Sequence, residues 1–194
     1  MLMRVERIDD YLDKEIKTLD KEIKMQRVEK EKPAHLSMTE ELCVEFKSKI
    51  EGYRAEYAKF EKRVFIHLYE NRERYGIEKI YIFKNMVVDG ALRLDNGKII
   101  LLEAKFKLNW FKVCNARVEF QRFLKEERVQ KYFTEHISKK SPEGALIIFD
   151  SFSGDWIGKG WSNFYEEENI LDLPSIPIRI AQLNREDGLK GIDC

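Results

Sequence analysis

The sequence contains few of the residues that mark secreted, fibrous or membrane-spanning chains. Its 194 residues include only 3 Cys, an odd number without a CxxC pair, so neither a disulfide framework nor a zinc site is expected. Only 4 Pro and 10 Gly are present, which excludes a collagen-like or linker-dominated chain. The longest apolar runs, 99–102 and 145–149, are far shorter than the about 20 residues that a membrane helix needs. The first residues are acidic and lack the apolar stretch of a signal peptide. We therefore expect a folded cytoplasmic protein with no membrane partner.

Charge of one sign is also lacking, because 35 Lys and Arg balance 35 Asp and Glu. A uniformly basic nucleic-acid coat is thereby excluded. The balance hides an asymmetry, however. Residues 98–140 contain eleven basic and five acidic side chains, a net charge of +6, whereas residues 143–194 contain four basic and ten acidic ones, a net charge of −6. The basic segment could face a polyanion even though the whole chain is neutral.

The chain length suits one globular domain with an extension. Apolar residues at helical spacing from Val5 to Ile23 predict an amphipathic N-terminal helix within 1–36, which either packs on the body of the protein or forms a homodimer. Residues 37–194 would then form the main domain. Helical spacing resumes after Ser37 and continues to Gly76, with Gly52 as a possible bend or break.

The apolar period then changes to that of β-strands. Three β-branched-rich segments, 77–83, 86–94 and 99–106, are separated by short turns, and Asn96-Gly97 is a strong hairpin signal. A helix over about 110–133, a buried strand over 145–149 and a further strand over 176–181 follow. The predicted order is helix, three antiparallel strands, helix and strand, which is an α/β or α+β architecture.

Charged residues interrupt two of these apolar strands. Alternation places Glu103 and Lys105 on the same face of their strand, and Asp89 interrupts the preceding one. Because a hairpin makes the two strands neighbours, Asp89 and Glu103 can converge on one cation. Burying two carboxylates is costly unless a cation compensates, and Mg²⁺ prefers one or two carboxylates with water and phosphate oxygens. Lys105 could orient or help deprotonate the attacking water, or stabilise charge on a phosphate.

The tripeptide Glu-x-Lys carries little information alone, because it also occurs at 22–24 and 45–47 on predicted helices. The informative pattern is the acid in one strand, the tight turn, and Glu-x-Lys in the next strand. The alternative for the same residues is a structural ion pair of Lys105 with Asp89 or Glu103 at a sheet edge.

Asp89, followed fourteen positions later by Glu103-Ala104-Lys105, resembles the signature of the PD-(D/E)XK nuclease superfamily. The resemblance covers roughly residues 55–150, and Val88 stands where the signature often has proline. It implies a restriction endonuclease-like αβββαβ core, with a central mixed sheet flanked by helices and the N-terminal helix as an extension.

The resemblance also implies the chemistry: a Mg²⁺-dependent endonuclease acting on DNA, with Mn²⁺ able to substitute. Asp89 and Glu103 would hold the metal and Lys105 would position the attacking water. The family commonly adds an acid on the helix before the sheet, and some branches a Gln on the helix after Glu-x-Lys. Glu61 and Gln121 fit these positions, although each could equally be an ordinary surface residue, and Gln130 is a rival to Gln121. A homodimer would allow both DNA strands to be cut.

Basic residues surround this motif in the sequence, and they predict phosphate contacts of little sequence specificity. The candidates are Lys107, Lys112, Arg117 and Arg122. A glycine-rich stretch at 154–160 resembles a phosphate loop, but its spacing is one residue short and no Ser or Thr follows the Lys. No nucleotide cofactor is therefore expected.

Several functions stay open from the sequence. Within the nuclease class, a restriction-type enzyme and a DNA repair or Holliday-junction nuclease share these residues. A catalytically silent member that only binds nucleic acid or protein is the alternative from another class, as is a helical interaction protein in which the sheet is a scaffold.

Overall fold

A computed structural model describes residues 32–152, 177–184 and 188–190 of the chain. Its strands are β1 (Ala34–Ser37), β2 (Ile77–Lys84), β3 (Gly90–Leu94), β4 (Ile99–Leu108), β5 (Gly144–Phe152), β6 (Ile178–Asn184) and β7 (Gly188–Lys190). Its helices are α1 (Glu40–Lys49), α2 (Glu56–Glu70), α3 (Trp110–Lys125) and α4 (Glu127–His136), with a 3₁₀ turn at Ile50–Gly52. The predicted N-terminal amphipathic helix and the 154–160 loop lie outside the described residues.

The strands of the described ranges form one mixed sheet in the order β1-β2-β3-β4-β5-β6-β7. Strands β1 to β4 are antiparallel neighbours, β4, β5 and β6 are parallel, and β7 is antiparallel to β6. Strand β4 is therefore the point at which the sheet changes from antiparallel to parallel. The connection from β4 to its parallel neighbour β5 contains α3 and α4, as a parallel crossover requires.

The helices cover both faces of the sheet, and alternation along the strands gives each face its own hydrophobic core. Helices α1 and α2 pack on one face through Phe46, Phe60, Val64, Phe65 and Leu68. Helices α3 and α4 pack on the other through Val113, Ala116, Phe120, Phe123, Val129 and Phe133. In β4, Leu102 belongs to the first core and Leu101 to the second. The predicted sheet with flanking helices is thus confirmed, while the restriction endonuclease-like identity of its core stays a prediction.

The β3–β4 hairpin has the turn that its sequence predicts. Gly97 adopts a φ of 78°, a left-handed conformation that favours glycine, and its N–H donates to the Leu94 carbonyl at 2.8 Å. The Leu94 N–H in turn donates to the Lys98 carbonyl at 2.9 Å and closes the hairpin.

Several predicted boundaries are wrong. The helix expected over 110–133 is divided at Glu126, whose φ and ψ of −77° and 105° are extended. The break allowed at Gly52 is confirmed, because the 3₁₀ turn separates α1 from α2 there. The strand expected over 86–94 begins only at Gly90, because residues 85–89 form bends. Strand β1 was not predicted. It includes residue 36, where the sequence analysis places a domain boundary, and that boundary stays a prediction.

In the described part of the chain, no helix has the length and apolar character needed to cross a bilayer.

Candidate functional site

The β3–β4 hairpin brings Asp89 and Glu103 together. Its register pairs Gly90 with Leu102, so one further step along both strands places Asp89 opposite Glu103. The backbone N–H of Asp89 donates to Glu103 Oε2 at 3.2 Å, and the backbone N–H of Ala104 donates to Asp89 Oδ2 at 2.8 Å. Each carboxylate is therefore held by the backbone of the opposite strand.

Gly90, the residue after Asp89, lies in close contact with β2 and α2. A Cβ at Gly90 would lie 2.4 Å from the Tyr81 carbonyl oxygen and 3.2 Å from the ring of Phe65 on α2. Only glycine fits between β2 and α2 without a backbone shift. Its neighbour Asp89 is also fixed from the other side, because its carbonyl accepts the Phe83 N–H at 2.8 Å.

Lys105 lies beside Glu103 on the α3 face of β4. Its ammonium donates to Glu103 Oε1 and also to Glu119 Oε2, the latter at 3.1 Å. The Glu103 residue is only 4% exposed, and the Lys105 side chain is 19% exposed. The Lys105–Glu103 ion pair of the structural alternative is therefore present, but it lies on an interior strand and not at a sheet edge.

Glu119 was not predicted from the sequence. It precedes the buried Phe120 on α3, and it is the only acidic residue among the sixteen of that helix. A single acid in an otherwise basic helix is the signal that could have identified it.

The two carboxyl groups of this site, Asp89 and Glu103, are harder to ionise than ordinary ones, because their pKa values are raised. The Asp89 residue keeps some surface, but its carboxyl group is enclosed by protein; this burial, followed by the negative charge of Glu61, raises its pKa to about 7. Burial and the charge of Asp89 raise the pKa of Glu103 well above its usual value. Burial acts against the charged form of Lys105, but Glu103 and Glu119 outweigh it and raise the Lys105 pKa. The ammonium form of Lys105 is thus strongly favoured.

A count of charges shows what the site lacks. Asp89, Glu103 and Glu119 contribute three negative charges when ionised, and Lys105 contributes one positive charge. The remaining −2 is the charge that one divalent cation neutralises. The donor set also fits such a cation, because two carboxylates converge and no hydrogen bond within the described ranges reaches Asp89 Oδ1. With only these two convergent carboxylates, no group of three or more His, Cys, Asp or Glu able to hold a metal occurs in the described part of the chain.

Of the other predicted site residues, Glu61 is near the site and Gln121 is turned away from it. Glu61 on α2 acts on Asp89 through its charge, while its own carboxylate pairs with the Lys62 ammonium at 3.0 Å. Gln121 follows Glu119 by two positions, about 200° around the helix, so it faces another side of α3. The rival Gln130 donates to the Phe123 carbonyl at 2.6 Å and thus joins α4 to the end of α3.

No family model, no curated protein and no solved structure matches this chain.

The predicted phosphate-binding residues divide into two groups. Lys107 is exposed at the end of β4, and Lys112 on α3 donates to the Lys107 carbonyl at 2.6 Å. Burial, followed by the charges of Lys105 and Lys107, lowers the pKa of Lys112. Arg122 is one turn from Glu119 and shares its side of α3, whereas Arg117 precedes Glu119 by two positions and faces elsewhere. The structure thus places Lys112 next to Lys107 and Arg122 on the Glu119 side of α3, while the Lys107 ammonium lies 5.8 Å from the centre of the Phe106 ring.

A separate cleft of about 630 Å³ lies at the other end of the sheet, near the β3–β4 turn. Leu68, Ile100 and Leu146 give it an apolar floor on the α2 face. It includes none of Asp89, Glu103 and Lys105, so the charged cluster and this cleft are distinct features.

Proposed function

We propose that this chain is a Mg²⁺-dependent nuclease that hydrolyses phosphodiester bonds in DNA. The observation that carries the proposal is the convergence of Asp89 and Glu103 across the β3–β4 hairpin, with the Lys105 ammonium beside them. Carboxylates whose pKa values burial raises are unstable as anions unless a cation joins them. A purely structural ion pair would need one acid for Lys105, whereas Glu103 and Glu119 both accept from it and Asp89 acts on it through its charge.

The residues divide the chemistry between them. Asp89 and Glu103 would hold Mg²⁺, which supplies Lewis-acid stabilisation and activation of water when bound. Lys105 donates hydrogen bonds, and its favoured ammonium form suits it to orient the attacking water and to stabilise negative charge on the phosphate. Hydrolysis forms a bond between the water oxygen and phosphorus and breaks the bond from phosphorus to the leaving sugar oxygen, which takes up the water's proton.

Basic residues beside the acids supply the contact with DNA. Lys107 and Lys112 lie where β4 leads into α3, and Arg122 follows along the same side of that helix. Such residues bind phosphates with little regard to sequence, and this binding weakens as salt rises. A DNA backbone laid along this side of α3 would pass close to Lys105.

The proposal is tested by cleavage of supercoiled plasmid with Mg²⁺ or Mn²⁺. We expect cleavage by the wild-type protein, and a loss of at least about a hundredfold in Asp89→Asn and Lys105→Ala, because each removes a group at the reacting phosphate. Matched controls are Glu51→Gln, whose side chain is 89% exposed, and Lys131→Ala on the exposed face of α4. Undiminished cleavage by both site variants would refute the assignment of Asp89 and Lys105 to a nuclease site.

The same assay separates the alternative functions. A four-way junction cut in preference to linear duplex would indicate a junction-resolving nuclease, and cleavage of duplex at a fixed sequence would indicate a restriction-type enzyme. DNA binding without cleavage in either metal would indicate a silent binding member. The predicted homodimer is checked by the mass of the full chain in solution.

A further inference from the structure

Lys105 has two acidic partners on different elements. Glu103 lies two residues away on β4, and Glu119 lies on α3, so the ammonium joins the sheet to the helix. The Glu119 side chain is 22% exposed and reaches Lys105 from the first turn after the helix midpoint. Both bonds use the single nitrogen of Lys105.

Glu103 already accepts one hydrogen bond at each carboxylate oxygen. Its Oε1 accepts from Lys105 and its Oε2 accepts from the Asp89 backbone N–H. A divalent cation held by Glu103 and Asp89 would also repel an adjacent ammonium group. Because of this repulsion, we expect the Lys105 ammonium to move away from Glu103 Oε1 when a cation binds.

Glu119 is the acceptor that can keep Lys105 near the site after this exchange. Without it, an ammonium with little exposure to solvent would lose its remaining partner while a divalent charge arrives beside it. We propose that Glu119 is a positioning residue that retains the Lys105 ammonium when Glu103 coordinates a divalent cation, an inference that rests on the proposed function. Glu119 then favours cation binding by way of Lys105, and it also holds Lys105 ready to face the phosphate.

The inference is tested by a double-mutant cycle on Mn²⁺ affinity, measured by calorimetry on the full chain without DNA. The variants are Glu119→Gln, Lys105→Met and the double variant. We expect Glu119→Gln to weaken Mn²⁺ binding about tenfold when Lys105 is present, because the displaced ammonium loses its acceptor. Lys105→Met alone should bind Mn²⁺ more tightly, since the competing cation is gone. In that background we expect Glu119→Gln to change the Kd less than about twofold.

An equal or larger loss in the Lys105→Met background would overturn the inference, because Glu119 would then act only through its own charge on the metal. No loss in either background would overturn it as well. Glu51→Gln serves as the charge-removal control and should leave the Kd unchanged. Glu119→Asp provides a second variant that keeps the carboxylate, and we expect it to recover part of the lost affinity.

Failure of this inference is distinguishable from failure of the proposed function. A wild-type protein that binds Mn²⁺ and cleaves plasmid, but shows no coupling between positions 105 and 119, refutes only the role of Glu119. A wild-type protein that binds no Mn²⁺ refutes both.

Discussion

The charge imbalance around Asp89 predicts that replacing this acid stabilises the metal-free protein. The perturbation is Asp89→Asn, which removes the charge and keeps an oxygen that can accept the Ala104 N–H. In the folded protein the Asp89 pKa is raised from 3.8 to about 7. Asp89 is therefore harder to ionise when folded than when unfolded. Its ionisation costs stability as pH rises from about 4 to about 7, and that cost is fully present above pH 7.

The magnitude follows from the same pKa values. The rise from 3.8 to about 7 corresponds to about 4 kcal/mol, since each tenfold change in proton affinity is about 1.4 kcal/mol. The Asp89 residue keeps some surface beside its enclosed carboxyl group, and solvent at that surface screens part of this energy. We therefore expect Asp89→Asn to raise the free energy of unfolding at pH 8 by about 2 kcal/mol. At pH 4 the two proteins should differ by less than about 0.5 kcal/mol, because Asp89 is then mostly protonated when folded.

Urea denaturation at pH 4 and pH 8 in the presence of EDTA measures both differences. Millimolar Mn²⁺ at pH 8 should reverse the order, because only the wild-type protein retains both proposed metal ligands. An Asp89→Asn protein that is less stable than wild type at pH 8 in EDTA, or a difference independent of pH, would refute the electrostatic argument.

Two further predictions concern packing and charge. Gly90→Ala should lower the free energy of unfolding by about 3 kcal/mol, because its Cβ would meet a carbonyl oxygen at 2.4 Å. Gly52→Ala, with nothing within 4 Å, should change it by less than about 1 kcal/mol; equal urea midpoints for the two variants would contradict this account. Lys112→Ala and Arg122→Ala should each reduce the slope of log affinity for DNA against log salt by about 1 in a fluorescence titration, and Lys131→Ala should not. Unchanged slopes for both site variants would show that DNA binds to another surface of the protein.

The hairpin and its pair of acids could be predicted from sequence because the information is local. The change of apolar period and the Asn96-Gly97 turn determine which strands are neighbours, and alternation then assigns Glu103 and Lys105 to one face. Fourteen positions separate Asp89 from Glu103, which is a short loop to close. The prediction that these acids lie together needed no knowledge of the helices.

The residues on helices were harder to assign because their direction depends on how each helix is rotated against the sheet. Phe120 and Phe123 show the buried side of α3, and that rotation brings Glu119 to Lys105 and turns Gln121 elsewhere. The family resemblance predicted a Gln on this helix but gave no information about how the helix is rotated against the sheet. Strand β1 was missed for a different reason: four residues after Pro33 carry too little pattern, and only pairing with β2 makes them a strand.

The register of the β3–β4 hairpin links two distant parts of the molecule. Side chains alternate along a strand, so a slip of one residue would move Glu103 to the opposite face, away from Lys105's partner on α3. The turn at 95–97 holds that register, and its nearest residue lies roughly 20 Å along the strand from Glu103. Insertions or deletions in this turn would therefore disrupt the candidate cation site, although they would alter no residue that contacts it. The turn is thus as much a determinant of the candidate chemistry as the acids themselves.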